Sequence, residues 1–318
     1  MISKILAGLA AATFAAGAAA QEAKEINFGI ISTDSSSALK QEWQPILDDM
    51  EKKTGLKVHA FFASDYAGVI EGMRFNKVQV AWFGNKSAME AVDRANGEVF
   101  AKFVNADGTE GYYSHLIVNK DSSLQSLDDV LKNSKSLSFG NGDPNSTSGF
   151  LVPSYYVFAR NHVDPKTAFK VVRAANHETN AMAVVMKQVD VATNNSEQMD
   201  KLKANAPDKF QQVRIVWTSP LIASDPLVMR KDLPEATKKK VKDFFYTYGK
   251  TPEEKQVMAK MDKAGWRPST DAQLLPIRQL ELFKERTKLE ADASIAAADK
   301  QAKLKEIDGK LADLSKQM

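Results

Sequence analysis

Gly140-Asn141-Gly142-Asp143-Pro144-Asn145-Ser146-Thr147-Ser148-Gly149 is the stretch on which the reading of this chain turns. A short apolar run, Leu137-Ser138-Phe139, precedes it, and the apolar, aromatic run Phe150 to Phe158 follows. That order reads as strand, polar turn and helix. Three hydroxyl residues, Ser146, Thr147 and Ser148, stand where the helix should begin. The first backbone N–H groups of a helix have no partner inside it, and the dipole makes that end positive. A helix start lined with hydroxyls is therefore suited to an anion. The same residues also fit a plain N-cap, so the rest of the chain must decide.

Outward from this stretch, apolar strand-like runs alternate with helical patterns. Ile26 to Ile31, Leu56 to Phe62 and Val78 to Phe83 read as strands. Helices are predicted from about Ala38 to Thr54, from Asp65-Tyr66 with Ile70, Met73 and Phe75 on its apolar side, and from Ala88 to Ala95. Tyr112 to Val118 reads as one strand running across into a second lobe. There the alternation resumes, with Phe150 to Asn161 as a helix and Lys170 to Arg173, Val189 to Thr193 and Val213 to Trp217 as strands. The pattern predicts parallel sheets with right-handed crossovers, and in such sheets ligands bind beyond the carboxyl ends of the strands.

The 318 residues are enough for two ordinary cores. The expected division is 21–115 and 227–273 in a first lobe, 116–226 in a second, and 274–318 as a C-terminal helical extension. Leu304, Ile307, Leu311, Leu314 and Met318 recur at spacings of three and four in that extension. They fit a helix on its own lobe or one paired with a second copy, and periodicity does not separate the two.

Residues 1–20 read as a secretory signal peptide: Lys4 in the n-region, a small-residue apolar run, and Ala18-Ala19-Ala20 before a polar stretch. Cleavage is expected after Ala20, with export to the periplasm. Without them the chain carries 42 basic against 40 acidic side chains, a balance of +2. That gives no case for nucleic acid, which would want a basic stripe. With no cysteine, disulfides, thiolate metal sites and a cysteine nucleophile are excluded. The four histidines, His59, His115, His162 and His177, show no metal-ligand spacing. No metal, cofactor or catalytic residue is expected from these residues.

Several runs carry a resemblance. Phe28 to Thr33, Phe61 to Gly68, Arg74 to Val78, Ala88 to Ala95, Gly140 to Phe158, His177 to Asn180, Val189 to Asn195, Ser219 to Ile222 and Tyr248 to Lys255 resemble the phosphonate-binding periplasmic proteins of ABC transporters. The resemblance implies an α/β, two-lobed periplasmic binding protein fold of type II, with two crossover hinge strands and a long C-terminal helix. It implies a phosphonate ligand, 2-aminoethylphosphonate above all, delivered to a permease and ATPase complex. Carried over position by position, Tyr66, Tyr112, Ser146, Thr147, Ser148 and His177 would meet the phosphonate. Glu197 and Asp225 would meet the ammonium. Two acids would repel a phosphonate, so they make sense only at the far end of the ligand, facing a cation.

Overall fold

The structure is a computed structural model that describes residues 23–318; the expected signal peptide lies outside the described residues. Thirteen strands are described: β1 (Glu25–Ile30), β2 (Lys57–Phe62), β3 (Val80–Trp82), β4 (Gly97–Asn105), β5 (Gly111–Tyr112), β6 (Ser114–Asn119), β7 (Ser138–Asn141), β8 (Val171–Ala174), β9 (Val191–Asn195), β10 (Val213–Thr218), β11 (Ile222–Ala223), β12 (Pro226–Arg230) and β13 (Lys263–Pro268). They form two main sheets, in the orders β13-β4-β12-β3-β1-β2 and β10-β6-β9-β7-β8. Each sheet, with its helices, is one lobe.

The sheets are mixed rather than parallel. β1 is parallel to β2 and β3, but β12 runs antiparallel to β3 and β4, and β13 antiparallel to β4. In the second sheet β7 is parallel to β8 and β9, while β6 is antiparallel to β9 and β10. The strands that follow the chain's two passages between lobes, β6 and β12, run against the βαβ units they join. The expected single strand from Tyr112 to Val118 is also broken. β5 and β11 leave the main sheets and pair with each other as a two-stranded ribbon, Ile222 opposite Tyr112.

The first lobe is held by an aromatic core. Phe28 lies 5.1 Å from Trp43, Trp43 lies 5.4 Å from Trp82, and Phe103 lies 5.0 Å from Trp266, centroid to centroid. Such pairs contribute about 0.5–1.5 kcal/mol each beyond the area they bury. In the second lobe Phe139 stacks on Phe169 at 4.8 Å. The helix Ser36–Thr54 stops at Gly55, whose φ of 69° suits a residue without a Cβ. In the helix Tyr66–Arg74, Ile70 and Met73 are buried, whereas Phe75 is its exposed C-cap rather than part of the apolar side. The next helix is Asn85–Arg94, three residues earlier than expected.

The C-terminal segment is not one long helix. Leu275–Ala291 and Ala297–Ser315 form an antiparallel pair, joined by Arg286 to Asp308 and by Lys300 to the Glu290 carbonyl. Pro276 begins the first helix, where its missing N–H costs nothing, and Gly309 does not interrupt the second. Leu304, Ile307, Leu311 and Leu314, with Lys300, are half-buried against their own chain, while the rest of the helix is exposed. The first helix touches both lobes: Arg278 pairs with Asp93, and Phe283 stacks on Tyr155.

Candidate ligand-binding cleft

After β7 the chain turns at Gly142, whose N–H donates to the Gly149 carbonyl at 3.0 Å. A Cβ on Gly142 would lie 2.5 Å from the Gly149 backbone, so only glycine allows this approach. Ser146 is the N-cap and accepts from Gly149 N–H at 3.0 Å. The helix that follows is irregular. Thr147–Leu151 and Ser154–Phe158 wind with π-type turns, and Ala159–Asn161 closes in a 3-10 turn. Pro153 accounts for part of this, since it has no N–H to continue the ladder. Carbonyls left free find partners elsewhere: Ser148 O accepts from Ser114 Oγ at 2.6 Å, and Gly149 O from Gly142.

This helix start opens on a cavity of about 780 Å³ between the lobes. Helix starts converge there. Gly84, the N-cap of Asn85–Arg94, lines it from the first lobe; His177 and Ser196, first residues of two second-lobe helices, line it from the other. Positive dipole ends thus meet at one space, the arrangement that favours an anion.

Seven of the eight residues singled out from the sequence line the cavity: Tyr112, Ser146, Thr147, Ser148, His177, Glu197 and Asp225. Tyr66 stands behind them, buried, with its hydroxyl on Ser146. Tyr66 and Tyr112 are both nearly fully buried. Burial first, and then the Asp225 charge, pushes each phenol well above its ordinary pKa, so both stay protonated and can donate. His177 is the first residue of its helix, capped by Asn176, which accepts from Thr179 N–H at 2.8 Å. Burial lowers the His177 pKa from 6.5 to about 4, leaving a neutral imidazole whose Nδ1 has no partner.

Asp225, in the same cavity, is 7% exposed. Burial first, then the neighbouring Glu197 charge, raises its pKa well above the usual carboxylate range; Tyr112 and Lys263 offset this in part. Asp225 Oδ1 has no hydrogen-bond partner, and neither has Trp82 Nε1, which lines the same cavity. Buried polar atoms are costly unless paired, so these two and His177 Nδ1 are available to a bound solute. Glu197 lies in the first turn of Ser196–Asn205 and is bonded by Lys263 from the first lobe.

Lys263 was not singled out from the sequence, nor were Trp82, Asp34, Glu42 and Lys201, which also line the cavity. Lys201 of the second lobe reaches Asp34 at 3.2 Å and Glu42 at 2.6 Å in the first. Tyr66 N–H donates to Asp143 at 3.1 Å, and Ser35 N–H to Glu178 at 2.7 Å. These contacts join the lobes across the mouth. Among the described residues no cluster of His, Cys, Asp and Glu could hold a metal ion, and no helix is long and apolar enough to cross a membrane.

The family model described as "ABC transporter, phosphonate, periplasmic substrate-binding protein" matches residues 28–274. The chain is 59% identical over 298 residues to the "Phosphonates-binding periplasmic protein" of Escherichia coli (strain K12), covering 94% of this chain and 88% of that one. It is 30% identical over 230 residues to the "Phosphate-import protein PhnD" of Mycolicibacterium smegmatis, covering 69% and 70%. A crystal structure of a binding protein component of an ABC phosphonate transporter from Pseudomonas aeruginosa superimposes with a TM-score of 0.91 at 57% identity, covering 93% of this chain and 98% of that chain. With the two-lobed fold and the anion-suited cleft, these matches establish that the chain belongs to the periplasmic phosphonate-binding proteins of ABC importers, which bind a solute and do not transform it.

Proposed function

We propose that this protein captures 2-aminoethylphosphonate, with the phosphonate at the Ser146–Ser148 helix start and the ammonium at Asp225 and Glu197. The observation that carries the reading is Asp225, a buried carboxyl with an unpartnered oxygen in the same cavity as the hydroxyl-lined helix start. Ser146, Thr147, Ser148, Tyr112 and neutral His177 supply donors to the oxygens of the phosphonate, and Tyr66 acts from behind through Ser146. Charge-assisted hydrogen bonds contribute roughly 1.5–3 kcal/mol each, so a handful give micromolar or tighter binding after association costs. Binding through neutral donors also suits a carrier that must release its cargo to a permease and ATPase complex.

The Mycolicibacterium relative is named for phosphate import, and a phosphate, unlike 2-aminoethylphosphonate, brings no cation to offset the charge of Asp225 and Glu197. Calorimetric titration with 2-aminoethylphosphonate and ethylphosphonate decides the matter. Tighter binding of the amine-bearing ligand is expected; equal affinity would refute the roles given to Asp225 and Glu197.

Export follows from the same reading, with residues 1–20 removed after Ala20. The N-terminus of the secreted chain, read by mass spectrometry, tests this: Gln21 is expected. Pairing of two copies through Ala297–Ser315 would use its exposed face, the stripe being already half-buried on its own chain; light scattering on the chain with and without residues 297–318 tests that separately from ligand binding.

A further inference from the structure

Lys263 is the first residue of β13, opposite Asn105 of β4. The pairing shifts register between Lys263 and Gly265, and Gly265 sits at a φ of 138°. A bulge of this kind re-aims the side chain beside it. Here the Lys263 side chain lies in the cleft and is only 10% exposed. Its ammonium bonds Glu197 Oε1 across the cleft and Asn105 Oδ1 at 2.6 Å, and lies 5.5 Å from the Phe103 ring centroid. Asn105 is oriented for this: its Nδ2 donates to Thr109 Oγ1 and to the Gly111 carbonyl, which turns Oδ1 toward Lys263. A carboxylate, an amide oxygen and a ring face are the surroundings that an ammonium ligand would itself select.

We propose that Lys263 is a specificity-determining residue, a resident cation that shares the ammonium subsite and lets the cleft accept phosphonates lacking an amine as well as those bearing one. The inference rests on the bipolar reading above. Without Lys263, an amine-free phosphonate would close the cleft over two acids with no cation between them. With Lys263, Glu197 is already neutralised, and only Asp225 discriminates. A ligand ammonium then gains less from Glu197 than it otherwise would. Lys263 therefore narrows the affinity gap between the two ligand classes.

The test is calorimetric titration of wild type, Lys263→Met and Lys263→Arg with 2-aminoethylphosphonate and with ethylphosphonate. The readout is the ratio of the ethylphosphonate Kd to the 2-aminoethylphosphonate Kd. Lys263→Met is expected to raise that ratio about tenfold, the equivalent of one charge-assisted hydrogen bond. Lys263→Arg, which keeps the charge, is expected to leave it at the wild-type value. If Lys263→Met weakens both ligands by the same factor, Lys263 only ties the lobes together and the proposal fails. A wild type that prefers the amine, with an unchanged ratio in the variant, overturns this inference alone. Ratios of one in both proteins overturn the bipolar reading as well. Should Lys263→Met fold poorly by thermal melt, Lys263→Gln gives the same ratio test.

Discussion

The backbone N–H of Lys86 donates to the Thr147 hydroxyl oxygen at 2.8 Å. Lys86 is in the first turn of one lobe's helix and Thr147 in the first turn of the other's, so two positive helix ends are joined directly. Thr147→Val leaves a buried N–H without its acceptor, a loss of about 1–3 kcal/mol. Affinity should fall about tenfold or more for ethylphosphonate and 2-aminoethylphosphonate alike, and Thr147→Ser should restore it. A selective loss of the amine-bearing ligand, measured by calorimetry, would contradict this placement.

Asp225 should behave in the opposite way. Its pKa in the fold is raised above 3.8, mainly by burial. The stability linked to that group is therefore present below pH 3.8 and lost as pH rises through the folded value. Asp225→Asn should make the ligand-free protein more stable at neutral pH, with no gain below pH 3.8, as read by urea unfolding. The same change should remove the preference for an amine. An ammonium at Asp225 also favours the ionised carboxylate, so 2-aminoethylphosphonate binding should release a proton. Calorimetry in buffers of different ionisation enthalpy would reveal the proton in wild type and not in Asp225→Asn.

His177 titrates with the other sign. Its pKa falls from 6.5 to about 4 on folding, through burial. The unfolded chain then binds more protons in that interval, so the linked stability is present above pH 6.5 and lost as pH drops toward 4. The full shift corresponds to on the order of 3 kcal/mol. Wild type should lose that much more stability than His177→Asn between pH 7 and 4, by denaturant unfolding. Parallel profiles would mean that His177 is solvated in the ligand-free protein.

Lys201 closes the mouth against Asp34 and Glu42, both of the other lobe. Lys201→Met should open the cleft, seen as a larger radius of gyration by small-angle scattering without ligand. It should also weaken both ligands by about the same factor, roughly tenfold for one lost charged hydrogen bond. An unchanged radius would show that the latch does not hold the lobes.

Much of the architecture was legible in local sequence. The runs ending at Ile31, Phe62 and Phe83 are strands because apolar residues bounded by polar turns fit a buried sheet. The Ser146–Ser148 helix start could be read because strand, glycine turn and hydroxyls are contiguous. β13 could not. Lys263-Ala264-Gly265-Trp266-Arg267-Pro268 has no alternating pattern and contains glycine and proline; it is a strand because β4 pairs with it. Lys263 was invisible for the same reason, its partner Glu197 being 66 residues away and in the other lobe. Phe75 was misplaced because helical periodicity continues past a residue that in fact ends the helix. Asp225 stands before Pro226 with no local pattern that marks a ligand group, and only resemblance pointed to it. Its backbone is fixed by contacts distant in sequence: Phe103 N–H donates to its carbonyl, and Asn85 donates to the Ala223 carbonyl.

The central claim is the polarity of the cleft, and a crystal structure of the complex with 2-aminoethylphosphonate tests it most directly. The phosphorus should lie at the Ser146-Thr147-Ser148 helix start, with its oxygens on those hydroxyls and on His177, and the nitrogen should lie against Asp225. A phosphorus atom beside Asp225 and Glu197, or a nitrogen at the helix start, would contradict the account.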